Sequence, residues 1–329
     1  MKYFENLTKP AFILFLKFIF VALVLYFLTN SGYLSLSSTQ HAFADWKSIA
    51  LAVGGVIFNE LLAGLRWGWL LQAYGIKIRI WRLIQLTFIG EFFSIAIPGM
   101  IGETAVKTFY IGRQASGQYE GAIGIAIFDR IAGASSLILL SALAVFFGED
   151  QLSSSTLLLL KPILTVFFIF VILFYTYLFS IREEHDPILW VIKRFELRLW
   201  KFDRLLSIYK VIRYYHNHRW TVIKSLLSSL LTKLILGWIC LKFSVALGEP
   251  QLSLLPILAI VPFGLLISDI PVAPAGIGTG HAAFLYLFQL IGSAQGANIF
   301  TLYVLANIFM GIIGGLIYLR FKVETQTDT

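Results

Sequence analysis

The sequence predicts an all-α, polytopic membrane protein, and three observations support this fold class. Hydrophobic residues make up 58% of the 329 residues and charged residues only 13%, which leaves more apolar side chains than a soluble domain could bury. The apolar segments are solid runs, whereas the strands of a membrane β-barrel alternate. Proline and glycine interrupt two of these runs, one in each half of the chain. We expect a single integral membrane domain over 1–329 with roughly eight membrane segments.

The apolar runs follow one another in a clear order. The first, 11–28, is long enough to span a bilayer and lies too far from Ala42-Phe43-Ala44 for that site to be a signal-peptidase site, so we expect an uncleaved first helix. A polar loop over 29–46 follows. Close helix packing is expected at Gly64 with Gly68 and at Gly311 with Gly315. Further helices are predicted over 49–73, 83–97, 104–112, 122–147, 157–180, 222–247, 252–267, 282–291 and 299–319.

The distribution of charge predicts the topology. The loop 77–82 is basic, and the segment 181–219 carries nine Lys or Arg against five Asp or Glu, so both are expected in the cytoplasm. The acidic loop 148–151 is then expected outside. Residues 83–97 and 101–114 are too short for two comfortable spans. We therefore predict a re-entrant hairpin that enters from the cytoplasmic side.

The two interruptions are the main pointer to a binding site. Proline removes a backbone donor and glycine frees the backbone, and in a bilayer such breaks are tolerated only where protein or a water-filled cavity receives the exposed polar groups. Paired breaks in two halves mark the binding sites of transporters built from inverted repeats. We expect such an arrangement here, with two broken or re-entrant segments. The residues concerned are Pro98, Gly99 and Gly102 at the first break and Pro271, Pro274, Gly276 and Gly278 at the second.

The second break has two topological interpretations. Arg320 and Lys322 favour a cytoplasmic C-terminus. We expect this result if 252–267 and 282–291 cross the membrane as an interrupted pair. A purely re-entrant loop is expected to leave the two terminal charges outside. The N-terminus is also predicted to be cytoplasmic, in a multi-pass protein of the cytoplasmic (inner) membrane.

The segment 181–219 is predicted to be an amphipathic, basic connector between the two halves. Asp186 is a suitable N-cap and Pro187 suits the first helical position. Apolar residues from Ile188 to Tyr209 then recur on one helical face, with Lys and Arg elsewhere. This pattern fits a helix on the inner leaflet that binds anionic lipids, and it equally fits a connector packed on the other helices.

Ionisable residues inside the apolar runs are the candidates for function, because a charge at membrane depth is costly unless it is paired or faces water. Glu103 and Lys107 can pair along one helix, whereas the adjacent Asp129 and Arg130 must find separate partners. Each candidate also has a structural alternative: Arg66 could snorkel to the interface, others could form an ion-pair network, and His281 could cap a helix. Glu91 and Lys233 belong to the same class. The proposed substrate-binding set is Asn59, Glu60, Arg66, Glu103, Lys107, Asp129, Arg130, Asp269 and His281.

Several other functions are disfavoured. The net charge of +8 is typical of cytoplasmic loops facing anionic lipid, and no nucleic-acid-binding module is recognisable. The single cysteine, Cys240, excludes disulfides within the chain and multi-cysteine metal sites. We predict no metal and no cofactor. No ATP-binding motif is recognisable, so transport would run downhill or be coupled to an ion gradient.

The ordered set of motifs resembles the transmembrane flippase domain of lysylphosphatidylglycerol synthases and its stand-alone relatives. The resemblance covers essentially the whole chain and implies the translocating part without the aminoacyl-transferase domain. Two positions depart from the family pattern: Lys107 stands where arginine is frequent, and Gly280-His281 where an Arg-Glu pair is common. The matching residues are Asn59, Arg66-Trp67, Pro98-Gly99, Gly102-Glu103, Lys107, Asp129-Arg130, Pro271 and Pro274-Ala275-Gly276-Ile277-Gly278.

The leading hypothesis is a lipid translocase that moves a phospholipid or a polyprenyl-phosphate-linked lipid between leaflets. Arg66, Lys107 and Arg130 would engage phosphate, while Glu60 and the other carboxylates would contact amine or hydroxyl groups. Two alternatives stay open. One is an intramembrane lipid-modifying transferase that uses His281 as an acid–base group, although no catalytic constellation is recognisable. The other is a membrane scaffold that partners a separate lipid-synthesising enzyme, and a homo-oligomer is compatible with each.

Overall fold

The computed structural model of the chain is built from α-helices. It describes residues 36–96, 101–114, 119–181, 185–194, 200–270 and 276–321, together with positions 19, 26, 29 and 30, and these residues contain no β-strand. The predicted helix 11–28, apart from positions 19 and 26, lies outside the described residues, as do the break residues Pro98, Gly99, Pro271 and Pro274. The predicted polar loop 29–46 contains a short helix, α1 (Leu36–Ala42), whose last residue is fully buried in the core.

Five helices are long and apolar enough to cross a membrane in the described part of the chain. Each has 25 to 29 residues, which corresponds to about 40 Å against a hydrocarbon core of about 30 Å. Asp45 and Ser153 cap the first and third of them through side-chain oxygens that accept backbone N–H groups. They are α2 (Trp46–Ala73), α5 (Tyr119–Phe147), α6 (Ser154–Ser180), α9 (Arg219–Ala246) and α12 (Gly296–Arg320).

The first break separates two short helices, α3 (Ile80–Ala96) and α4 (Ile101–Gln114). Their 17 and 14 residues correspond to about 25 and 21 Å, less than the hydrocarbon thickness. They pack side by side, since a Cβ at Gly90 would come within 2.7 Å of the Glu103 Cγ. This is the hairpin that the sequence predicts.

Glycines hold α3 tightly between α2 and α12. A Cβ at Gly68 of α2 would lie 2.6 Å from the Leu83 side chain, and one at Gly314 of α12 would lie 1.9 Å from the Phe88 carbonyl oxygen. The predicted close packing at the Gly64 and Gly311 motifs is thus confirmed, with α3 as the common partner.

The second break also separates two short helices, α10 (Leu254–Ser268) and α11 (Thr279–Gln289). They lie side by side, because Gly264 packs directly on Phe284. At the beginning of α10, the Ser253 hydroxyl donates to Gln151 (2.7 Å), and at the end of α11 the Leu290 carbonyl accepts from Thr156 (2.8 Å). Both ends of this hairpin therefore lie at the end of the bundle that carries loop 148–151.

This placement corrects the topology expected for the second break. The segments 252–267 and 282–291 do not cross as an interrupted pair but return to the side where they entered. The expectation that a re-entrant loop would leave the terminal charges on the far side was wrong, because α12 then crosses once and carries Arg320 to the basic loop. Phe321 accordingly packs 5.3 Å from the Arg82 guanidinium and 5.3 Å from the Tyr110 ring. Lys322 lies outside the described residues.

The two hairpins consequently enter the bundle from opposite ends. We call the end with loop 77–82 and Phe321 the basic end and the end with loop 148–151 the acidic end. The α3–α4 hairpin enters from the basic end and the α10–α11 hairpin from the acidic end. This is the relation expected of an inverted repeat.

The described part of the connector contains two helices, α7 (Pro187–Arg194) and α8 (Trp200–Tyr214). Asp186 caps α7 as predicted, accepting the N–H groups of Ile188 (2.9 Å) and Leu189 (3.1 Å). In α8, Val211 packs into the space that Gly124 leaves on α5. Of the two interpretations, the packed connector describes α8.

A buried ion pair fastens the connector at the basic end. The Arg213 Nε lies 2.8 Å from Asp186 Oδ2, and their side chains are 3% and 0% exposed. Burial acts to raise the pKa of the Asp186 carboxyl, but hydrogen bonds from the Tyr177 and Tyr209 hydroxyls (2.7 Å each), a backbone amide and the Arg213 charge together hold it below its usual value. The connector is thereby fixed to the end of α6.

Candidate functional site

A cavity of about 330 Å³ lies between the inner ends of the two hairpins. Its size is within the range of small-molecule binding sites. Seven described helices line it, because the long α2, α5, α9 and α12 surround the inner parts of α3, α4 and α10. Among the described residues, nine side chains of acidic or basic residues face the same space, five acidic (Glu60, Glu91, Glu103, Asp129 and Asp269) and four basic (Arg66, Lys107, Arg130 and Lys233).

One side of α2 supplies five residues of the wall. Asn59, Ala63 and Arg66 are separated by four and three positions, so they lie along one side of the helix, with Glu60 and Trp67 beside them. Asn59 and Arg66, seven positions apart, thus both face the cavity. The buried Asn59 Oδ1 has no hydrogen-bond partner in the described part of the chain.

Arg66 and Asp129 form a bidentate ion pair across the cavity wall. Arg66 Nε and Nη2 donate to the two Asp129 oxygens at 2.7 and 2.9 Å, and Nη1 donates to the Ser229 hydroxyl at 2.8 Å. Arg66 is only 9% exposed, so the snorkelling alternative is wrong. Because its three donating groups bond to residues of α5 and α9, the Arg66 guanidinium links α2, α5 and α9.

A second charge cluster stands on α4. Glu103 and Lys107 form the predicted i, i+4 ion pair, and the Lys107 ammonium lies 5.3 Å from the Trp67 ring centroid. Arg130 approaches Glu103 (3.8 Å) and donates from Nε to the Thr104 hydroxyl (2.8 Å). Asp129 and Arg130 thus take separate partners, as their adjacent positions predict. The Arg130 side chain remains 32% exposed to the cavity.

Three ionisable groups have no direct partner in the described part of the chain. Glu60, Lys233 and Asp269 each line the cavity and make no hydrogen bond or ion pair within 4 Å there. Charges at membrane depth are costly unless they meet water or an opposite charge. These groups are therefore available to a polar ligand, from three different helices or helix ends.

His281 does not line the cavity, which corrects its inclusion in the predicted set. Its Nδ1 accepts the Gly278 N–H (3.3 Å), Nε2 lies 3.1 Å from the Thr301 hydroxyl, and the residue is 4% exposed. His281 therefore caps the beginning of α11, which is the structural alternative to a binding role. Gly276 and Gly278 adopt left-handed backbone angles, with φ of 65° and 90°, which only glycine adopts without strain.

The other predicted site residues gather as expected: Asn59, Glu60, Arg66, Glu103, Lys107, Asp129, Arg130 and Asp269 all line the cavity, while Gly102 is buried near its edge. Glu91 and Lys233 join them, and their signal in the sequence was ionisable character inside an apolar run. Trp67 and Tyr303 also line the cavity, and they resemble ordinary core residues in the sequence. Among the described residues, no three His, Cys, Asp or Glu side chains converge as metal ligands.

Comparison with protein families identifies the family of the chain. The family described as "Lysylphosphatidylglycerol synthase TM region" matches residues 14–315. The chain belongs to this family. The region matched to the lysylphosphatidylglycerol synthase TM family contains both hairpins and every described residue that lines the cavity. Membership makes the protein a multi-pass membrane protein and associates it with membrane lipids. No curated protein and no solved structure matches the chain.

Proposed function

We propose that the protein is a lipid translocase, which moves a phospholipid or a polyprenyl-phosphate-linked lipid between the leaflets of the cytoplasmic membrane. One observation carries the proposal: nine ionisable side chains surround one cavity where two oppositely inserted hairpins meet. A charged or polar head group cannot cross hydrocarbon without losing its hydration. A cavity lined by both signs of charge replaces that hydration at mid-depth.

The two kinds of polar group in the cavity have different tasks. Arg66 with Asp129, and Lys107 with Glu103, are internally neutralised pairs that set the shape of the wall. Arg130, whose guanidinium is part-exposed, would approach the lipid phosphate. Glu60 and Asp269, without direct partners among the described residues, would receive an amine or hydroxyl group of the same head group.

The opposed hairpins offer a route to both leaflets. The α3–α4 hairpin enters from the basic end and α10–α11 from the acidic end, and the inner residues of both line the cavity. Movement of either hairpin would open the cavity to one side, which is the principle of alternating access in transporters with inverted repeats. Under the positive-inside rule, the basic end, with Arg320, faces the cytoplasm.

A leaflet-accessibility assay tests the proposal. Proteoliposomes would contain phosphatidylglycerol, phosphatidylethanolamine or polyprenyl phosphate with a fluorescent acyl or prenyl chain, and a membrane-impermeant reductant would report the outer-leaflet fraction over time. We expect the wild-type protein to accelerate the loss of inner-leaflet label for at least one lipid. Equal leaflet distributions with and without protein for all three lipids would contradict translocation.

A pair of variants separates the cavity from the rest of the molecule. Asp269→Asn removes a cavity charge that has no direct partner in the described chain, so little structural cost is expected. Glu149→Gln removes a charge from the acidic end, in an exposed pair with Lys161. We expect slower translocation only in the first variant.

The transferase alternative receives no specific support from the site. It requires His281 as an acid–base group, and both ring nitrogens of His281 are occupied by Gly278 and Thr301 away from the cavity. We therefore propose translocation alone. Lipid mass spectrometry of a deletion strain separates the two, because translocation predicts an unchanged lipid inventory with altered sidedness.

A further inference from the structure

A second cavity, of about 390 Å³, lies at the basic end on the outside of α2. We call it the basic groove. It is bounded by the last turns of α2, the beginning of α3 and the chain that connects them. Its walls are largely apolar, and two cationic side chains stand at its end. Residues that define it are Leu65, Trp69, Ile80, Leu83, Lys77 and Arg79.

The basic groove is separate from the central cavity, because the two use opposite faces of α2. Leu65, Trp69 and Gln72 are spaced by four and three residues and share one face of the helix. The cavity residues Ala63 and Trp67 are rotated by about half a turn from that face, at 100° per residue. A ligand in the groove therefore does not occupy the proposed translocation site.

The positive end of the groove has no acidic counterpart in the described part of the chain. Lys77 and Arg79 are both exposed, and neither forms an ion pair with a described Asp or Glu. Two cations two positions apart in the non-helical segment between α2 and α3 attract a neighbouring anion. A phosphate group can accept from both at once.

The apolar part of the groove indicates that this anion carries hydrocarbon chains. Ile80 is 59% and Trp69 37% exposed, and Trp81 beside the groove is 67% exposed. Exposed tryptophans next to Lys and Arg at a helix end are typical of the membrane–water interface. A free anion would leave these surfaces uncovered, whereas an acyl chain running along Leu65 and Leu83 would cover them.

We propose that the basic groove binds one anionic phospholipid, with its phosphate on Lys77 and Arg79 and an acyl chain along α2. Charge complementarity selects the class of lipid: the ammonium group of a zwitterionic head group would be repelled by the same two cations. The proposal is independent of translocation. It concerns a resident lipid on the outer surface of the bundle.

Native mass spectrometry of the full-length protein in detergent tests this site. Dioleoylphosphatidylglycerol and dioleoylphosphatidylcholine would be titrated into wild type, a Lys77→Gln/Arg79→Gln variant and a Lys210→Gln/Lys224→Gln control. The control removes two exposed positive charges at the same end but away from the groove. At about 1 kcal/mol for each cation, the first variant should bind phosphatidylglycerol about 30-fold more weakly. The control should retain the wild-type affinity.

Two further arms separate the basic groove from the central cavity and from a site for a free anion. In proteoliposomes the Lys77→Gln/Arg79→Gln variant should translocate lipid at the wild-type rate, because it leaves the central cavity intact, and water-soluble glycerophosphoglycerol should not compete for binding to the groove. Unchanged binding in the Lys77/Arg79 variant would overturn the proposal, as would an equal loss in the Lys210/Lys224 control. Equal wild-type affinities for phosphatidylglycerol and phosphatidylcholine would contradict the proposed selectivity for anionic lipids. Competition by glycerophosphoglycerol would contradict the proposed contact with the acyl chain. Phosphatidylcholine binding, unchanged in all variants, reports that the protein is folded.

Discussion

Replacing Asp129 with alanine would leave the Arg66 guanidinium buried without its counter-charge. Arg66 is 9% exposed and gives two of its three hydrogen bonds to Asp129, at 2.7 and 2.9 Å. Removing one partner of such a buried pair costs about 3–5 kcal/mol. At about 2–4 °C for each kcal/mol, the midpoint of thermal unfolding should fall by about 6–20 °C.

The assay is thermal unfolding of the detergent-solubilised protein, followed by the loss of the monodisperse peak in size-exclusion chromatography. An Arg66→Met/Asp129→Leu double variant replaces both charges by apolar side chains of similar size. We expect the double variant to unfold near the wild-type temperature, because a buried ion pair contributes little net stability over an apolar pair. Glu149→Ala serves as the matched control. It breaks an ion pair whose side chains are 45% and 44% exposed, so it should cost less than about 1 kcal/mol.

Two outcomes would refute this reasoning. If Asp129→Ala lowers the unfolding temperature no more than Glu149→Ala does, water reaches the Arg66 pair freely. A double variant as unstable as the single variant would mean that the pair holds α2 to α5 through specific hydrogen bonds rather than through mutual neutralisation.

Three further predictions concern the packing around the site. Asp186→Asn should lower the unfolding temperature at neutral pH, because a carboxyl with a depressed pKa stabilises the fold above its unfolded pKa. This stabilisation is lost as acid protonates the carboxyl, so the unfolding temperature of the variant should fall less steeply below about pH 4 than that of the wild type. Unfolding midpoints measured between pH 3 and 7 check this. Gly314→Ala should destabilise strongly, since its Cβ would meet a Phe88 backbone oxygen, while Gly133→Ala, with open space around it, should be neutral in the same thermal assay. His281→Phe should lower the unfolding temperature, because the hydrogen bond from the Gly278 N–H is lost. The lipid selectivity of translocation should not change, and a changed selectivity would contradict the position of His281 outside the cavity lining.

The membrane class and most helices follow from composition and apolar length, because the bilayer imposes a narrow range of solutions on an apolar chain. The local relations along one helix were equally predictable. The Glu103 and Lys107 pair and the shared face of Asn59 and Arg66 require only the helical repeat. The Asp186 cap is of the same kind.

Relations between distant segments were not accessible in this way. Whether Arg66 would snorkel or be buried depends on Asp129, 63 positions away, and nothing local indicates that distance. The second hairpin was assigned the wrong path because a re-entrant loop was expected to leave Arg320 outside, whereas α12 alone returns the chain to the basic end. His281 was misplaced for a related reason: its partner Thr301 lies on another helix.

The rate of lipid transfer between leaflets in proteoliposomes tests the central claim most directly. The claim is that cavity charges without a direct partner among the described residues carry the head group across. Wild type, Asp269→Asn and Glu149→Gln would be compared at equal protein-to-lipid ratios, with unfolding temperatures measured in parallel. A single lost charge-assisted contact of about 1.4 kcal/mol predicts a tenfold slower rate for Asp269→Asn and an unchanged rate for Glu149→Gln. A rate for Asp269→Asn equal to that of wild type, in a protein that transports, would contradict the account.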